Sequence, residues 1–191
     1  LPTGRNFFSV DSRAVPTRTA WKLGWKSATL LIERHLQDHG DWPRAMALTA
    51  WGTANMRTGG DDIAQALALM GAKPQWDDTA RRVTGFEILP MSVLGRPRVD
   101  VTLRVSGFFR DAFPNVMRLY DAAVLMLADY DEPGGLNTVK THIDARVAEL
   151  ESGGMDKASA RREASYRVFG SKPGAYGAGL ARHLNTSQVV V

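Results

Sequence analysis

Two polar stretches carry the residues whose types and spacing best suit ligand chemistry: "WGTANMRTGGDD" at 51–62 and "GFFRDAFP" at 107–114. Each stretch holds one arginine, Arg57 or Arg110, and a guanidinium group binds a carboxylate through paired hydrogen bonds. Two such groups side by side would suit a ligand that bears acidic side chains. The alternative is that Arg110 pairs with its neighbour Asp111 and serves only the fold.

The same stretches contain aromatic and amide side chains. Trp51, Phe108 and Phe109 would offer flat apolar surface beside the arginines, and Asn55 adds a hydrogen-bonding group. Together these residues suit a large planar ligand with carboxylates at its rim. The alternative is that the aromatic rings belong to the hydrophobic core.

The elements before the two stretches must bring them together. Residues 46–51 predict a buried strand, and the alternating valines and leucine of 99–106 predict a second strand. Each strand is followed by a loop and then by a helix. If the strands are parallel neighbours, both loops emerge at the carboxyl edge of the sheet, where α/β proteins bind ligands.

The remaining pattern is that of an α/β protein with a mixed, partly parallel sheet flanked by helices. Apolar spacing predicts a helix over 18–39, with Thr17 as its cap and Gly40 as its end. Further predicted elements are a helix over 63–70, a strand over 83–89 and a helix over 116–127.

A change of composition after Asp131 predicts two parts. Residues 1–131 are expected to form an α/β core domain with the two strand-end loops, and 132–191 a C-terminal helical appendage with a glycine-rich turn and a truncated tail. The appendage is predicted to contain helices over 138–151 and 157–169.

Composition excludes several classes of function. The chain has 191 residues, a net charge of +4 and no cysteine, so it lacks disulfides and thiolate metal sites. Its basic residues are scattered, which does not favour a nucleic-acid partner. No apolar run approaches the roughly 18 residues of a membrane span. We therefore expect no membrane association and a cytoplasmic location.

The glycine turns do not predict nucleotide binding. Asp61 and Asp62 follow the glycine pair at 59–60, and their carboxylates would repel a phosphate at this helix start. The turn "GSKPGAYGAG" lacks the lysine–hydroxyl ending of a phosphate loop. We expect no ATP site here, although Lys172 and Tyr176 of that turn could reach another ligand.

Histidine is the strongest metal ligand that the composition offers. His35 and His39 stand four residues apart on the first helix, a spacing that can chelate a metal but also suits the solvated last turn of a helix. His142 lies near the start of the helix after "DEPGGLN". It is either a metal ligand or a histidine that packs where the two predicted parts meet.

Four blocks of the chain resemble a known family: "LPTGRNFFSVD", "WGTANMRTGGDDIAQALALMG", "GFEILP…LGRPRVDVTLRVSGFFRDAFP" and "ASYRVFGSKPGAYGAG". In this order they resemble the cobaltochelatase large subunit, which is sister to the porphyrin-binding subunit of magnesium chelatase. Ala54, Phe108 and the ending "SKPGAYGAG" point to the cobalt branch. The resemblance extends from Leu1 to about Leu180.

The resemblance implies ATP-dependent insertion of cobalt(II) into a corrin precursor, hydrogenobyrinic acid a,c-diamide, in cobalamin synthesis. The large subunit would hold ring and metal, and separate AAA+ subunits would hydrolyse ATP. His142 becomes the expected metal ligand, because magnesium relatives tend to carry a histidine at the matching place. The expected ring-binding residues are Trp51, Asn55, Arg57, Phe109, Arg110, Asp111, Lys172 and Tyr176.

The chain also departs from the family. Large subunits run to well over a thousand residues, and the tail "ARHLNTSQVVV" no longer resembles them. We therefore expect an internal fragment that works with the rest of the large subunit and is inactive alone. The alternatives are a non-catalytic tetrapyrrole or corrinoid module, a degenerate fragment, or a piece of a magnesium chelatase large subunit.

Overall fold

The computed structural model describes residues 10–174. Its helices are α1 (Arg18–His39), α2 (Gly52–Thr58), α3 (Asp61–Met70), α4 (Met91–Leu94), α5 (Gly107–Ala112), α6 (Pro114–Ala128), α7 (Thr138–Ser152) and α8 (Lys157–Ala164). Its strands are β1 (Ala45–Ala50), β2 (Ala72–Trp76), β3 (Val83–Ile88), β4 (Asp100–Val105) and β5 (Val168–Gly170). Within this range no helix has both the length and the apolar character needed to cross a membrane.

Strands β1, β4 and β5 form a parallel sheet with β4 in the middle. The pairing of β1 with β4 runs from Ala45 opposite Asp100 to Ala50 opposite Val105. Alternate residues of β4 are buried in the core, where α3 contacts both β1 and β4. The predicted α/β class is confirmed, and so is the parallel pairing of the two strands that precede the polar stretches.

Strand β1 is more exposed than the sequence indicates. It lies at the edge of the sheet, and Ala45, Ala47 and Thr49 are exposed on one face. Met46 and Leu48 on the other face are half-buried and pack against the core. The prediction of a buried strand over 46–51 was wrong about its burial, because an apolar sequence does not reveal which strand occupies an edge.

Helix α1 begins and ends where the sequence predicts. The Thr17 hydroxyl accepts a hydrogen bond from the backbone N–H of Ala20, and Gly40 closes the helix with a φ of 73°. Its face packs on α3 at very short range. A Cβ atom at Gly24 would lie 2.5 Å from the backbone nitrogen of Gln65, so only glycine allows this crossing.

The two polar stretches are helical rather than looped. Residues 52–58 form α2 and residues 107–112 form α5, each of less than two turns. Helices this short have too few residues to show an apolar period, and here tertiary packing stabilises them. The expectation of open loops at this edge was therefore wrong, although both segments do follow their strands directly.

Two strands were missed. Strand β2 contains Pro74 and pairs with β3 as a separate antiparallel ribbon. Strand β5 replaces the end of the helix predicted over 157–169, because α8 stops at Ala164 and the chain turns to pair with β4. A strand of three residues carries almost no sequence signal. It forms because the middle strand of the sheet offers a free edge.

Arg98 connects several of these elements in the interior. Its guanidinium donates to the backbone oxygens of Met70, Gly71 and Leu89 and forms an ion pair with Glu132. The segment after α6 is thereby fixed to the end of α3 and the start of the hairpin. The division of the chain at residue 131 stays a prediction.

Candidate functional site

The polar stretches meet at the carboxyl edge of the parallel sheet. Ser106, the residue after β4, caps α5, and its hydroxyl oxygen accepts a hydrogen bond from the N–H of Phe109 at 3.1 Å. The same oxygen accepts the N–H of Gly52, the first residue of α2, also at 3.1 Å. One buried hydroxyl therefore holds the starts of both helices together. Ser106 was not among the residues predicted from the sequence, although a serine before a helix is a recognisable capping signal.

Two aromatic side chains are exposed at this edge. Trp51 is 43% exposed and Phe108 is 40% exposed. They belong to adjoining segments, because a Cβ atom on Gly52 would lie only 2.4 Å from Cδ1 of Phe108. Glycine at position 52 thus leaves room for the Phe108 ring beside Trp51. Large exposed rings near one another commonly mark an interaction site.

The neighbouring phenylalanine points the other way. Phe109 is fully buried and stacks on Phe113, with 5.0 Å between the ring centroids. Successive residues on a helix face directions about 100° apart, so α5 sends Phe108 outward and Phe109 into the core. The expected ring contact from Phe109 is therefore not available at the surface, and Phe108 takes its place at this edge.

The two arginines differ in the same manner. Arg57, in the last turn of α2, is exposed and has no hydrogen-bond or ion-pair partner among residues 10–174. Arg110 is buried, bonds both oxygens of Asp111, and donates to the backbone oxygens of Ser171 and Lys172 at 2.6 Å each. Arg110 and Asp111 thus pair with each other, as the structural alternative requires. Of the two, Arg57 alone presents its guanidinium to solvent.

Asn55 lies beneath this surface. Its side-chain nitrogen donates to the backbone oxygen of Trp51 at 2.9 Å and to Asp62 at 3.1 Å. Its buried side-chain oxygen has no partner within the described part of the chain. Burial, helped by the neighbouring Asp61, raises the pKa of the Asp62 carboxyl. Asn55 therefore braces α2 against α3 rather than facing solvent.

The glycine-rich turn is described only in part. Lys172 is exposed, and its backbone oxygen accepts from Arg110. This contact places the start of the turn beside α5 at the carboxyl edge. Tyr176 lies outside the described residues.

An open groove adjoins the same edge. It has a volume of about 760 Å³ and lies between the segment at 10–13 and the start of α6. Its charged side chains are Asp11, Arg13, Asp111 and Arg118. Asp11 is paired with Arg13, which holds the pKa of the aspartate at about 2. This groove has mixed charge and is less suited to an acidic ligand than the surface around Arg57.

His142 lies at the opposite edge. Its Nδ1 is 2.8 Å from a carboxylate oxygen of Asp100, the first residue of β4. The length of β4, at about 3.3 Å per residue, separates this position from the aromatic edge by roughly 16 Å. The structure does not bring His142 together with Trp51, Arg57 or Phe108. No group of three metal-ligating side chains occurs among residues 10–174.

Comparison with known proteins decides the family. Residues 1–188 match the sequence pattern of the CobN/Magnesium Chelatase family over almost the whole chain. This chain belongs to that family. The "aerobic cobaltochelatase subunit CobN" of Sinorhizobium sp is 65% identical over 180 residues, which are 94% of this chain and 14% of the relative.

Two further members of the CobN/magnesium chelatase family can be compared with this chain, one from a cobaltochelatase and one from a magnesium chelatase. The solved catalytic subunit of cobaltochelatase from Mycobacterium tuberculosis has a TM-score of 0.84 and 52% identity, covering 93% of this chain and 14% of that one. A magnesium-chelatase subunit of Rhodobacter capsulatus is 40% identical over 181 residues, 94% of this chain and 14% of its own length. The chain thus spans about one seventh of these relatives.

Proposed function

We propose that this chain is a portion of the large subunit of an aerobic cobaltochelatase, in which its carboxyl edge contacts the corrin-precursor ring. The intact enzyme would insert cobalt(II), its substrate metal, into hydrogenobyrinic acid a,c-diamide at the expense of ATP. The observation that carries the proposal is the combination of two exposed aromatic rings and one uncommitted arginine at the strand-end edge of a cobaltochelatase relative.

The chemistry of the edge matches that of the ring. A corrin precursor presents broad apolar faces and a rim of carboxylate and amide groups. Trp51 and Phe108 offer ring faces for stacking. Arg57 supplies a guanidinium for one rim carboxylate, and its freedom from other partners in the described structure means that no existing ion pair must break. Lys172, at the neighbouring turn, supplies a second cation.

Partner subunits provide ATP hydrolysis in this proposal. Two carboxylates, Asp61 and Asp62, occupy the first turn of α3, where an incoming phosphate would need the positive end of the helix. The ATPase would therefore be a separate AAA+ subunit. The rest of the large subunit would complete the ring site, because a single edge with one exposed arginine cannot enclose a macrocycle.

Ring binding is tested by titrating the folded chain with hydrogenobyrinic acid a,c-diamide while recording the visible absorption of the ring. We expect Arg57→Ala to weaken binding by about 1.5–3 kcal/mol, the range for a hydrogen bond to a charged group. Trp51→Ala and Phe108→Ala should each weaken it as well. Arg34→Ala is the matched control, since Arg34 is an exposed arginine on α1. Equal ring affinity of wild type and a folded Trp51→Ala/Arg57→Ala variant would refute the assignment.

The runner-up function is a tetrapyrrole-binding module that performs no metal insertion. Identity of 65% with a cobaltochelatase subunit, against 40% with a magnesium-chelatase subunit, favours the cobalt branch. The two functions can be distinguished by combining the chain with the rest of a large subunit and the ATPase subunits and measuring cobalt incorporation. Cobalt incorporation that depends on this chain supports the chelatase, whereas ring binding without incorporation supports the module.

A further inference from the structure

The outer side of β1 has no neighbouring strand within residues 10–174. In the three-stranded sheet β1 is a border strand, and its one partner there is β4. The backbone oxygens of Arg44 and Ala50, at the two ends of β1, accept hydrogen bonds from the β4 side. Successive residues of a strand direct their backbone groups to opposite sides, so those of Ala45, Ala47 and Thr49 point away from β4. These groups can pair with a further strand.

One face of β1 is open as well. The side chains of Ala45, Ala47 and Thr49 are exposed, whereas Met46 and Leu48 on the opposite face pack against the core. Parallel sheets normally have both faces covered. The exposed side chains are small, so another segment can approach this face closely. We call the outward backbone groups and side chains of Ala45, Ala47 and Thr49 the free β1 edge.

The other strand edges of the chain carry features that hinder pairing, and β1 does not. Strand β5 has only three residues, and β2 contains Lys73 and Pro74 and a register shift after Gln75. Short length, lysine, proline and irregular register are the usual means by which proteins protect an edge. Strand β1 has six residues, none of them charged and none of them proline, in continuous register with β4. Such an edge is suited to a partner strand.

We propose that a strand from the remainder of the large subunit pairs with the free β1 edge. The residues matched to the Sinorhizobium relative are 14% of its length, so about six sevenths of such a subunit lies outside them and must pack on this portion. An uncharged edge favours an uncharged, extended segment. A parallel partner strand is joined to its sheet through a crossover helix, which can cover the open face. The inference rests on family membership and not on ring binding.

Hydrogen–deuterium exchange at residues 45–50 tests this pairing. It is measured in the full chain alone and in a hybrid large subunit, in which the matched part of this chain replaces its counterpart in the Sinorhizobium relative. In the chain alone, the outward N–H groups of Ala45, Ala47 and Thr49 should exchange rapidly, whereas those of Met46 and Leu48 are slow because they belong to the ladder with β4. In the hybrid the three outward groups should exchange at least about tenfold more slowly.

A proline variant identifies the outward backbone groups as the point of contact. Ala47→Pro should leave the unfolding midpoint of the isolated chain nearly unchanged, because proline is tolerated on an edge strand where its missing N–H would face solvent. In the hybrid it should return Ala45 and Thr49 to rapid exchange. Leu48→Pro is the matched control and should lower the midpoint of the isolated chain, because it removes a hydrogen bond to β4. If Ala47→Pro does not fold, Ala47→Lys replaces it, since an edge lysine opposes strand pairing.

Four results would overturn the proposal. Slow outward groups in a monomeric isolated chain would show that the chain covers its own edge, and slow outward groups in a dimer, detected by sedimentation, would make a second copy the occupant. Rapid exchange in the hybrid, or slow exchange that persists in the hybrid with the Ala47 substitution, would exclude a partner strand at β1. Failure here is distinguishable from failure of the ring site, because the ring titration responds to Arg57 and Trp51 and not to Ala47.

Discussion

Removing Glu132 is expected to destabilise the chain strongly, because its partner Arg98 cannot reach water. Arg98 is 0% exposed and Glu132 is 5% exposed, with hydrogen bonds of 2.8 and 2.6 Å between them. Glu132→Ala leaves a buried guanidinium without its counter-charge. Loss of one partner of a buried ion pair typically costs about 3–5 kcal/mol.

The surroundings of Arg98 place the expected loss near the lower end of that range. Three backbone oxygens still accept from the guanidinium, and the Tyr130 ring lies 5.3 Å from it. We therefore expect the free energy of unfolding to fall by about 3 kcal/mol, out of a total of roughly 5–15 kcal/mol. For a domain of this size that is a drop of about 6–12 °C in melting temperature.

Urea unfolding followed by far-ultraviolet circular dichroism measures this loss. Glu149→Ala is the matched control, because Glu149 pairs with Arg146 on the surface and should cost less than about 0.5 kcal/mol. If Glu132→Ala and Glu149→Ala unfold at the same urea concentration, the reasoning about the buried pair is refuted.

Three further changes have defined outcomes. Arg110→Ala should lower the free energy of unfolding by about 2–3 kcal/mol, because it removes the hydrogen bonds of the guanidinium to Asp111 and to two backbone oxygens. Thermal unfolding measures this loss, and an unchanged midpoint would contradict the structural role of Arg110. Gly24→Ala should lower the free energy of unfolding by at least about 1–3 kcal/mol, because the added methyl group forces α1 away from α3. Gly153→Ala is the control and should lower it far less, because a Cβ atom there meets only contacts of 3.4 Å or longer. Equal losses in the two variants would count against the close crossing of α1 and α3. Burial raises the pKa of Asp62 above its unfolded value of 3.8, so its ionisation opposes folding as the pH rises. Asp62→Asn should therefore be more stable than wild type at pH 7, with a gain that shrinks toward pH 4; urea unfolding at both pH values that shows no gain at pH 7 would disprove this.

The sequence predicts those elements whose own residues determine them. Helix α1 has 22 residues, a threonine that caps it and a glycine that ends it, so its bounds follow from local chemistry. The parallel strands before the two polar stretches are likewise predictable from apolar runs followed by helices. Strand β5 is not predictable in this way, because it forms through contacts with residues far away in the sequence. It pairs with β4, and the adjoining Arg167 donates hydrogen bonds to Asp100.

For the candidate site, the sequence predicts which segments meet but not which way each side chain points. The strand-end rule brings 51–62 and 107–114 together, and the structure agrees. Whether Phe108 or Phe109 faces solvent depends on α5 being a helix, and a segment of six residues is too short to predict as a helix from its sequence. The choice between Arg57 and Arg110 depends on the backbone oxygens at 171 and 172, far along the chain.

The place of β5 has a consequence for how the chain reaches its native state. Leu103 pairs with Val168, so one edge of the middle strand stays open until a segment that follows four intervening helices, α5 to α8, has been placed. Contacts between residues this distant in sequence raise the contact order and slow folding. A polypeptide that ends before Arg167 would expose one edge of β4 to intermolecular pairing and would lack the arginine that holds Asp100. The chain must therefore extend through residues 167–170 if β4 is to fold without an exposed edge that is prone to aggregation.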